Sequence, residues 1–228
     1  MSYYNNYNPD ILSLVDIQHR NFLEVGCGAG ALASAIKNII PNSKYLGIDI
    51  EASVLQQAKE RGAIDSAVCL DINNTPEWDL LPELLNKKPN NGFDCFIFGD
   101  VLEHLYQPEN LINQAERWLT SNGTIIASIP NVQHWSVFIQ LIYGSWPRTD
   151  SGLFDRTHIR WFTLTDMCKL FEKDHLKIEK IVPRIFEKEK GLVVAEYLEP
   201  LSTQIGIDPE KLTDKILPLQ YVIKARKI

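Results

Sequence analysis

The sequence predicts an α/β fold, in which helices cover both faces of a mostly parallel sheet. Apolar segments typical of strands alternate along the chain with amphipathic segments typical of helices, and this alternation favours parallel strands joined by helical crossovers. The segment at 93–98 is almost continuously apolar, as expected for a central strand that is buried on both sides. No internal repeat or low-complexity linker interrupts the pattern, so residues 1–228 are expected to form one domain.

The individual elements follow from their apolar periodicity. Strands are expected at residues 21–25, 44–49, 66–70, 93–98 and 123–129, and helices at 30–40, 51–61, 108–119 and 132–142. Two later segments, 176–182 and 219–225, also have the character of strands, and one of them is expected at an antiparallel edge. Residues 1–20 are expected to form an N-terminal cap. Residues 144–160 are rich in Gly, Pro, Asp and Arg and break the alternation, which predicts a lid or substrate loop.

Composition and charge argue against several classes of protein. The 228 residues suffice for one α/β domain with a sizeable core. The net charge of −6 argues against broad nucleic-acid binding, which needs a basic face, so no nucleic-acid partner is expected. No apolar run reaches the roughly 18 residues that span a bilayer, and the first residues lack the features of a signal peptide. The four cysteines form no CxxC pair, and three of them lie in or beside predicted strands, so we expect reduced core thiols in a cytoplasmic protein. The four are Cys27, Cys69, Cys95 and Cys168.

A strand that runs directly into a glycine-rich turn is the most informative stretch of the chain. Residues 22–30 read FLEVGCGAG, and Glu24 lies two places before the first of three alternate glycines, Gly26, Gly28 and Gly30. Glycine lets the backbone turn tightly and lets a ligand approach it closely. The turn satisfies the pattern for binding the pyrophosphate of a dinucleotide. Glu24 would repel a pyrophosphate, however, and suits a ligand with an ammonium and a sulfonium group, such as S-adenosylmethionine (SAM).

Acidic residues follow the next two predicted strands. Asp49 ends the segment KYLGIDI, where a carboxylate meets the hydroxyls of a ribose; the alternative is a cap for the helix at 51–61. Asp71 ends the segment AVCLD, where it can accept a hydrogen bond from an adenine amino group while Ile72 packs on the ring. The alternative for Asp71 is a loop or cap carboxylate.

Together, these motifs resemble those of the class I SAM-dependent methyltransferases, and the resemblance covers nearly the whole chain. It implies a Rossmann-like sheet of seven strands in the order 3-2-1-4-5-7-6, with a reversed last strand. It also implies SAM as the cofactor, with a binding set drawn from the glycine turn and the ends of the first four strands. That set is Glu24, Gly26, Cys27, Gly28, Gly30, Asp49, Ile50, Asp71, Ile72, Gly99 and Asp100.

The segment GDVLEHL, residues 99–105, places Asp100, Glu103 and His104 at spacings that share one side of a helical turn. It is similar to the E-x-x-E-H segment of the ubiquinone-pathway O-methyltransferases and the small-RNA 2′-O-methyltransferases, which helps to bind a divalent metal. The resemblance implies a site for Mg²⁺ or a similar ion, although Asp100 reaches one methylene less far than the Glu it replaces. The alternative is a capping Asp100 and a hydrogen-bonded Glu103–His104 pair beside the cofactor.

His158 is the expected fourth metal ligand. It lies in DRTHIRWFT, residues 155–163, before a helix that Thr163 or Thr165 caps, and the small-RNA enzymes carry a metal-binding His in a similar segment. Carboxylate and imidazole ligands together suit several divalent ions. Without a metal, His158 or His104 is the natural general base, since the pKa of an imidazole lies near neutrality, and the catalytic candidates are therefore His158, His104 and Glu103. A loop histidine bonded to Asp155 is the alternative.

The segment from 129 to 163 resembles a branch of methyltransferases that are often found with polysaccharide and glycosyltransferase genes, as does the opening YYNNYNPDI. Flat aromatic faces pack well against a sugar ring, and we expect Trp146 and Phe154 in the acceptor pocket. Arg148 and Arg156 are expected to hold an anionic group, unless they pair with the aspartates of the same loop. The N-terminal tyrosines Tyr3, Tyr4 and Tyr7 either close over the methionine end of SAM or form a free start.

The functional hypothesis is O-methylation, by SAM, of a hydroxyl on a sugar, a glycan or a related small molecule. A quinone or polyphenol acceptor would use the same site. An RNA acceptor fits the His and Glu pattern, but the acidic charge argues against it. A non-enzymatic module that binds SAM or NAD would keep the glycine turn without any reason for Glu103, His104 and His158 to converge.

Overall fold

The apolar runs of the sequence form the strands of one sheet. The computed structural model describes residues 6–73 and 92–228. The strands are β1 Asn21–Val25, β2 Lys44–Asp49, β3 Ser66–Cys69, β4 Phe93–Gly99, β5 Leu119–Pro130, β6 Leu176–Ile185 and β7 Pro218–Lys227. Their order, β3-β2-β1-β4-β5-β7-β6, is the one that the family resemblance implied.

One strand of the sheet runs against the others. β7 pairs in antiparallel fashion with both β5 and β6, whereas the strands from β3 to β5 pair in parallel. The expectation that one of the two late strands would form an antiparallel edge is confirmed, because β6 is the edge strand and pairs in antiparallel fashion with the internal strand β7. The reason lies in the side chains: residues 221–225 of β7 are all buried, whereas β6 is largely exposed or half-buried.

Alternate residues of the strands belong to two separate apolar cores, one on each face of the sheet. On β1, Phe22 belongs to one core and Leu23 and Val25 to the other, because successive side chains of a strand point to opposite faces. The helices are α1 Pro9–Leu14, α2 Ala31–Ile39, α3 Ala52–Glu60, α4 Pro108–Trp118, α5 Trp135–Ile142, α6 Leu164–Phe171, α7 Lys188–Gln204 and α8 Pro209–Ile216. The core of Phe22 includes residues of α1, α2 and α3, and the other core includes residues of α4 and α6.

The predicted helix at 132–142 begins later than expected, at Trp135. The imidazole of His134 accepts a hydrogen bond from the backbone N–H of Ser136, and a side-chain acceptor at this position starts a helix. Thr163 caps α6 with a capping box that also uses Asp166, which decides between the two predicted caps. None of the helices in the described ranges has both the length and the apolar character needed to cross a bilayer.

All four cysteines are free thiols, but only part of the expectation about them is correct. Cys27 and Cys95 are buried and Cys168 is half-buried, whereas Cys69 is exposed. Cys69 is the last residue of β3, and β3 is the outermost strand on its side of the sheet. Edge strands leave their ends open to solvent, so Cys69 is not a core thiol.

Candidate functional site

The glycine turn lies at the carboxyl ends of β1 and β2. The backbone N–H of Gly26 donates to the carbonyl of Ile48 at 2.8 Å, and the N–H of Gly28 donates to Oδ2 of Asp49 at 2.9 Å. Gly26 has a φ of +70°, and a Cβ there would lie 2.8 Å from Cγ2 of Val101. Only glycine tolerates this conformation in so little space. The turn is therefore tightly packed, and backbone atoms form its surface above the sheet.

Asp49 stabilises this turn through hydrogen bonds. Its side chain is buried, and while Oδ2 accepts from Gly28, Oδ1 accepts from the backbone N–H of Glu51 at 3.0 Å. Glu51, not Asp49, is the residue that precedes α3 as its N-cap. Carboxylate oxygens accept more than one hydrogen bond each, so Asp49 retains acceptor capacity for a ligand, and its contact with a ribose stays a prediction.

Glu24 lies beneath the turn in a closed environment. Its Oε2 accepts a hydrogen bond from the phenol of Tyr45 at 2.7 Å, and its side chain is almost fully buried. Burial raises the pKa of Glu24 to about 8, against the opposing effect of the Tyr45 hydrogen bond, and the charge of Asp49 adds to the rise. The contact with Tyr45 was not indicated by any signal in the sequence. The expected contact of Glu24 with the cation of a ligand stays a prediction.

The segment after β3 carries the residues expected around an adenine. Asp71 is exposed, and its Oδ1 accepts from the backbone N–H of Asn73 at 2.9 Å. Ile72 is half-buried against one core, and Ile50, after β2, is exposed. Asn73 joins this segment to the turn after β4, because its amide donates to the carbonyl of His104 at 2.9 Å and its oxygen accepts from the N–H of Tyr106.

Glu103, His104 and His158 converge on one point beside that turn. One ligand atom from each lies within 4.8 Å of the others, and Nε2 of His158 is 3.8 Å from Oε1 of Glu103. Glu103 is only 1% exposed. Neither of its carboxyl oxygens has a hydrogen-bond partner among the described residues, and burial raises its pKa well above the ordinary value. A buried carboxyl without a partner is costly, which marks this point as a place for a ligand.

Both histidines contact a backbone carbonyl through the same ring nitrogen, Nδ1. Nδ1 of His158 lies 3.1 Å from the carbonyl of Leu153, and Nδ1 of His104 lies 3.1 Å from the carbonyl of Thr157. A carbonyl only accepts, so each Nδ1 carries a proton and each Nε2 of the neutral ring keeps a lone pair. Metal-binding histidines are oriented in this way by their second nitrogen. Burial also lowers the pKa of His158, which favours the neutral form.

Backbone contacts hold the two segments of this cluster together. Glu103 belongs to a 3₁₀ turn, Leu102–His104, directly after β4. Its carbonyl accepts hydrogen bonds from the N–H groups of both Ile159 and Arg160, each at 3.0 Å. His158 is thereby fixed next to the turn, as the sequence predicted. The backbone N–H of His158 donates to the carbonyl of Asp155 at 3.0 Å, whereas the Asp155 carboxylate accepts hydrogen bonds from Thr157.

Asp100 does not join the cluster, contrary to the expected metal set. The 3₁₀ turn begins only at Leu102, and Asp100 has a φ of +56°, a conformation that is uncommon for residues other than glycine. Its Oδ1 accepts from Oγ of Ser128 at 2.9 Å and from Nε2 of Gln220 at 2.8 Å. Because Asp100 lies outside a regular helical turn, the spacing argument that grouped it with Glu103 and His104 does not hold.

The loop at 144–160 carries an aromatic cluster. Trp146 makes edge-to-face contacts with Phe154, at 5.2 Å between ring centres, and with Trp161, at 5.5 Å. Trp146 and Trp161 remain 40% and 44% exposed, so the cluster presents open ring surface. Trp161 was not predicted as a site residue, because an aromatic residue before a helix is more often part of a core.

The arginines of the loop are engaged within it. Arg156 forms an ion pair with Asp150 at 2.5 Å, and Arg148 donates to the carbonyl of Arg156. The structure thus favours the predicted alternative, pairing inside the loop, for Arg156. A parallel β-bridge between Thr149 and Asp155 closes the loop on itself. Among the N-terminal tyrosines, Tyr7 is exposed, and Tyr3 and Tyr4 lie outside the described residues.

Residues 23–125 match the family described as "Methyltransferase domain". An uncharacterized methyltransferase of Mycobacterium tuberculosis is 27% identical over 121 residues, or 53% of this chain and 55% of that protein. The mitochondrial ubiquinone biosynthesis O-methyltransferase of Candida albicans is 28% identical over 122 residues, or 54% of this chain and 36% of that protein. The matches thus span about half, or less, of these curated relatives.

Solved structures share the fold over almost the entire chain. A SAM-dependent methyltransferase from Mesorhizobium loti aligns with a TM-score of 0.59 at 15% identity, over 96% of both chains. The plantazolicin methyltransferase BpumL, in complex with S-adenosylhomocysteine (SAH), aligns with a TM-score of 0.57 at 16% identity, over 92% of this chain and 76% of that one. At this level of identity the likeness concerns the fold.

Proposed function

Residues 23–125 carry a methyltransferase domain, and on that premise we propose that the chain is a SAM-dependent O-methyltransferase acting on a hydroxyl of a sugar, a glycan or a related small molecule. The convergence of Glu103, His104 and His158 is the observation that favours an oxygen as the methyl-accepting atom. Glu103 and His104 follow the carboxyl end of β4, the edge at which sheets of this type bind ligands, and backbone hydrogen bonds hold His158 beside them. A hydroxyl acceptor must lose its proton, and this cluster offers the groups for that task.

In the proposed complex the glycine turn and Asp49 hold the adenosine of SAM, and Asp71 and Ile72 meet its adenine. SAM supplies an activated methyl group, so the protein contributes mainly by holding the acceptor oxygen in line with it. Tight backbone packing at Gly26 and the fixed position of Asp49 support this role, because a pre-organised site loses little entropy on binding. The full proposed set is the eleven residues named from the sequence, from Glu24 to Asp100.

We also propose that Glu103, His104 and His158 hold a divalent metal ion. The residues fit one: two imidazole nitrogens with free lone pairs and a buried carboxyl without a partner lie within 4.8 Å of one another. Sequence resemblance suggested Mg²⁺ or a similar ion, but two imidazole ligands favour an ion that accepts nitrogen more readily than Mg²⁺ does, such as Zn²⁺, Fe²⁺ or Ni²⁺. A bound divalent ion would lower the pKa of an acceptor hydroxyl.

The proposed acceptor site is the loop at 144–160 with its neighbour Trp161. Phe154 and Trp161 flank Trp146, and the open ring surface suits the C–H face of a sugar. His158 belongs to the same loop, so an acceptor bound there lies close to the proposed metal ligands. Arg148 is the proposed contact for an anionic group, and Arg156 can serve only if it leaves Asp150.

An acceptor panel tests this proposal. The protein is incubated with SAM and with sugars, nucleotide sugars and short oligosaccharides, and in parallel with catechols and polyphenols, and products are identified by mass spectrometry. We expect a saccharide to gain a methyl group. Trp146→Ala should lower kcat/KM for that saccharide about three- to tenfold, the usual worth of an aromatic contact, whereas Tyr197→Ala, an exposed aromatic residue on α7, should not. Methylation of catechols alone would contradict the glycan assignment.

Metal binding is tested directly, without reference to activity. Calorimetric titration with Mn²⁺, Zn²⁺ and Mg²⁺, supported by elemental analysis, should show one site per chain, with Mg²⁺ bound most weakly. Glu103→Gln and His158→Ala should each remove that site and leave the affinity for SAH nearly unchanged. His175→Ala, which replaces an exposed histidine outside the cluster, is the matched control and should retain the site. Equal metal binding by His158→Ala and His175→Ala would refute the proposed ligand set.

A quinone or polyphenol acceptor is the second candidate. Relatives named as ubiquinone biosynthesis O-methyltransferases, from Candida albicans and Chromobacterium violaceum, favour it. The open face of Trp146 would accept a planar ring as readily as a sugar. Catechols in the acceptor panel distinguish the two, because a phenolic hydroxyl loses its proton more easily and depends less on the groups around Glu103.

A further inference from the structure

A closed ring of polar contacts joins helix α1 to the carboxyl ends of β4 and β5. At one end of α1, the amide of Asn8 donates to Oγ of Ser128 at 3.2 Å, and Ser128 donates to Oδ1 of Asp100 at 2.9 Å. A second set of hydrogen bonds connects Asp100 to the same helix through Gln220 and Arg184. Gln220 donates to Oδ1 of Asp100, and Arg184 donates both to Gln220 and to Asp10, each at 2.8 Å.

The direction of every hydrogen bond in this ring is fixed. Asn8, Ser128, Gln220 and Arg184 act as donors, and the ring ends on two carboxylates, Asp100 and Asp10. Both side-chain donors to Asp100, Ser128 and Gln220, meet its Oδ1, and among the described residues no side chain donates to its Oδ2. A carboxylate can accept on both oxygens, so Asp100 is held from one side and has acceptor capacity left on the other.

Helix α1 also packs onto the end of β4. Ile11 is 1% exposed, and its Cδ1 would lie 3.4 Å from a Cβ at Gly99. Val101, one residue beyond Asp100, is the side chain that confines Gly26 of the glycine turn. Asp100 therefore stands between the helix that covers β4 and the turn that is proposed to bind the cofactor.

We propose that Arg184 and Ser128 are positioning residues for the cofactor site, which fasten helix α1 to Asp100 so that docking of α1 and binding of SAM stabilise each other. The inference rests on the proposed function, because it requires SAM to bind beside Asp100. A cationic group of the cofactor is attracted to the Asp100 carboxylate and restrains its position. The hydrogen bonds of the ring extend that restraint from Asp100 to α1. Coupling between two sites is reciprocal, so fastening α1 must in turn raise the affinity for SAM.

Hydrogen exchange and calorimetry with SAH test the coupling in the free protein. SAH should slow exchange of the α1 backbone amides, residues 10–14, in the original chain. Arg184→Gln and Ser128→Ala should each reduce that protection and weaken SAH binding about five- to tenfold, the lower range of typical allosteric couplings. Neither substitution removes a group of the glycine turn. Arg184→Lys keeps a charge for Asp10 but lacks the forked guanidinium that also reaches Gln220, and it should restore the affinity only in part.

Arg226→Gln is the matched control. Arg226 also bonds an N-terminal residue, Asp16, together with Glu179, but these contacts lie at the other end of the same two strands, β6 and β7. It should lower the stability of the fold and leave SAH affinity within about twofold. Equal losses of SAH affinity in Arg184→Gln and Arg226→Gln would refute the coupling, as would SAH binding that leaves α1 exchange unchanged. Failure of the original chain to bind SAH would instead refute the proposed function.

Discussion

Replacing Glu24 with Gln should make the folded protein more stable above neutral pH. Burial raises the pKa of Glu24 from 4.5 to about 8, so the folded chain keeps a proton that the unfolded chain releases above about pH 4.5. The free energy of unfolding therefore falls as pH rises from about 4.5 to about 8, and it levels off beyond. At about 1.4 kcal/mol per pH unit, the loss is about 3 kcal/mol between about pH 5.5 and about pH 8. Gln keeps the shape of the neutral acid and has no proton to lose.

Urea unfolding of both proteins across this pH range measures the effect. The stability of Glu24→Gln minus that of the original chain should grow by about 3 kcal/mol from about pH 5.5 to about pH 8, because all other titrations cancel in the difference. Glu51→Gln, which removes an exposed carboxyl at the same end of the sheet, should show no such growth. A pH dependence that is parallel in Glu24→Gln and the original chain would mean that Glu24 is already ionised in the fold, and the reasoning from burial would fail.

Other substitutions probe the site more locally. Gly47→Ala places a Cβ 2.5 Å from Sγ of Cys27, so it should cost about 1–3 kcal/mol in urea unfolding and weaken SAH binding; a stability equal to that of the original chain would contradict the packing. Asp49→Asn removes the charge that Gly28 contacts, and calorimetry should show SAH affinity lower by about tenfold or more, since charge-assisted hydrogen bonds are worth about 1.5–3 kcal/mol. Trp161→Ala should raise KM for the acceptor without changing SAH affinity, and an unchanged KM would remove Trp161 from the acceptor site.

The sheet was predictable because periodicity is a local property of the sequence. The first four strands fall within one residue of their expected bounds, since each is an apolar run with clear ends. The helix Lys188–Gln204 was not predicted, because its buried face is formed by small side chains such as Gly191 and Ala195 rather than by an apolar stripe. The sheet order followed from the family resemblance, and the internal position of β7 did not follow from its sequence alone.

In the candidate site, proximity along the chain was predictable and backbone conformation was not. Glu103 and His104 are neighbours in sequence, and His158 joins them as expected. The left-handed φ of Asp100 sends its carboxyl to Ser128 and Gln220, and nothing in the spacing of GDVLEHL indicates that conformation. The partnership of Glu24 with Tyr45 depends on the pairing of β1 with β2, a contact between residues that are distant in sequence.

Cys69, at the exposed end of β3, can be labelled chemically next to the proposed cofactor site. Its thiol donates to the carbonyl of Ile50 at 3.3 Å, next to Asp49, while burial raises the pKa of Cys27 and Cys95 and protects them from reagents that attack thiolates. A maleimide dye will therefore label Cys69 faster than the buried thiols, and no substitution is needed. The dye then lies next to Asp49, at the proposed adenosine site, where its fluorescence can report nucleoside binding in a plate reader before any acceptor is known.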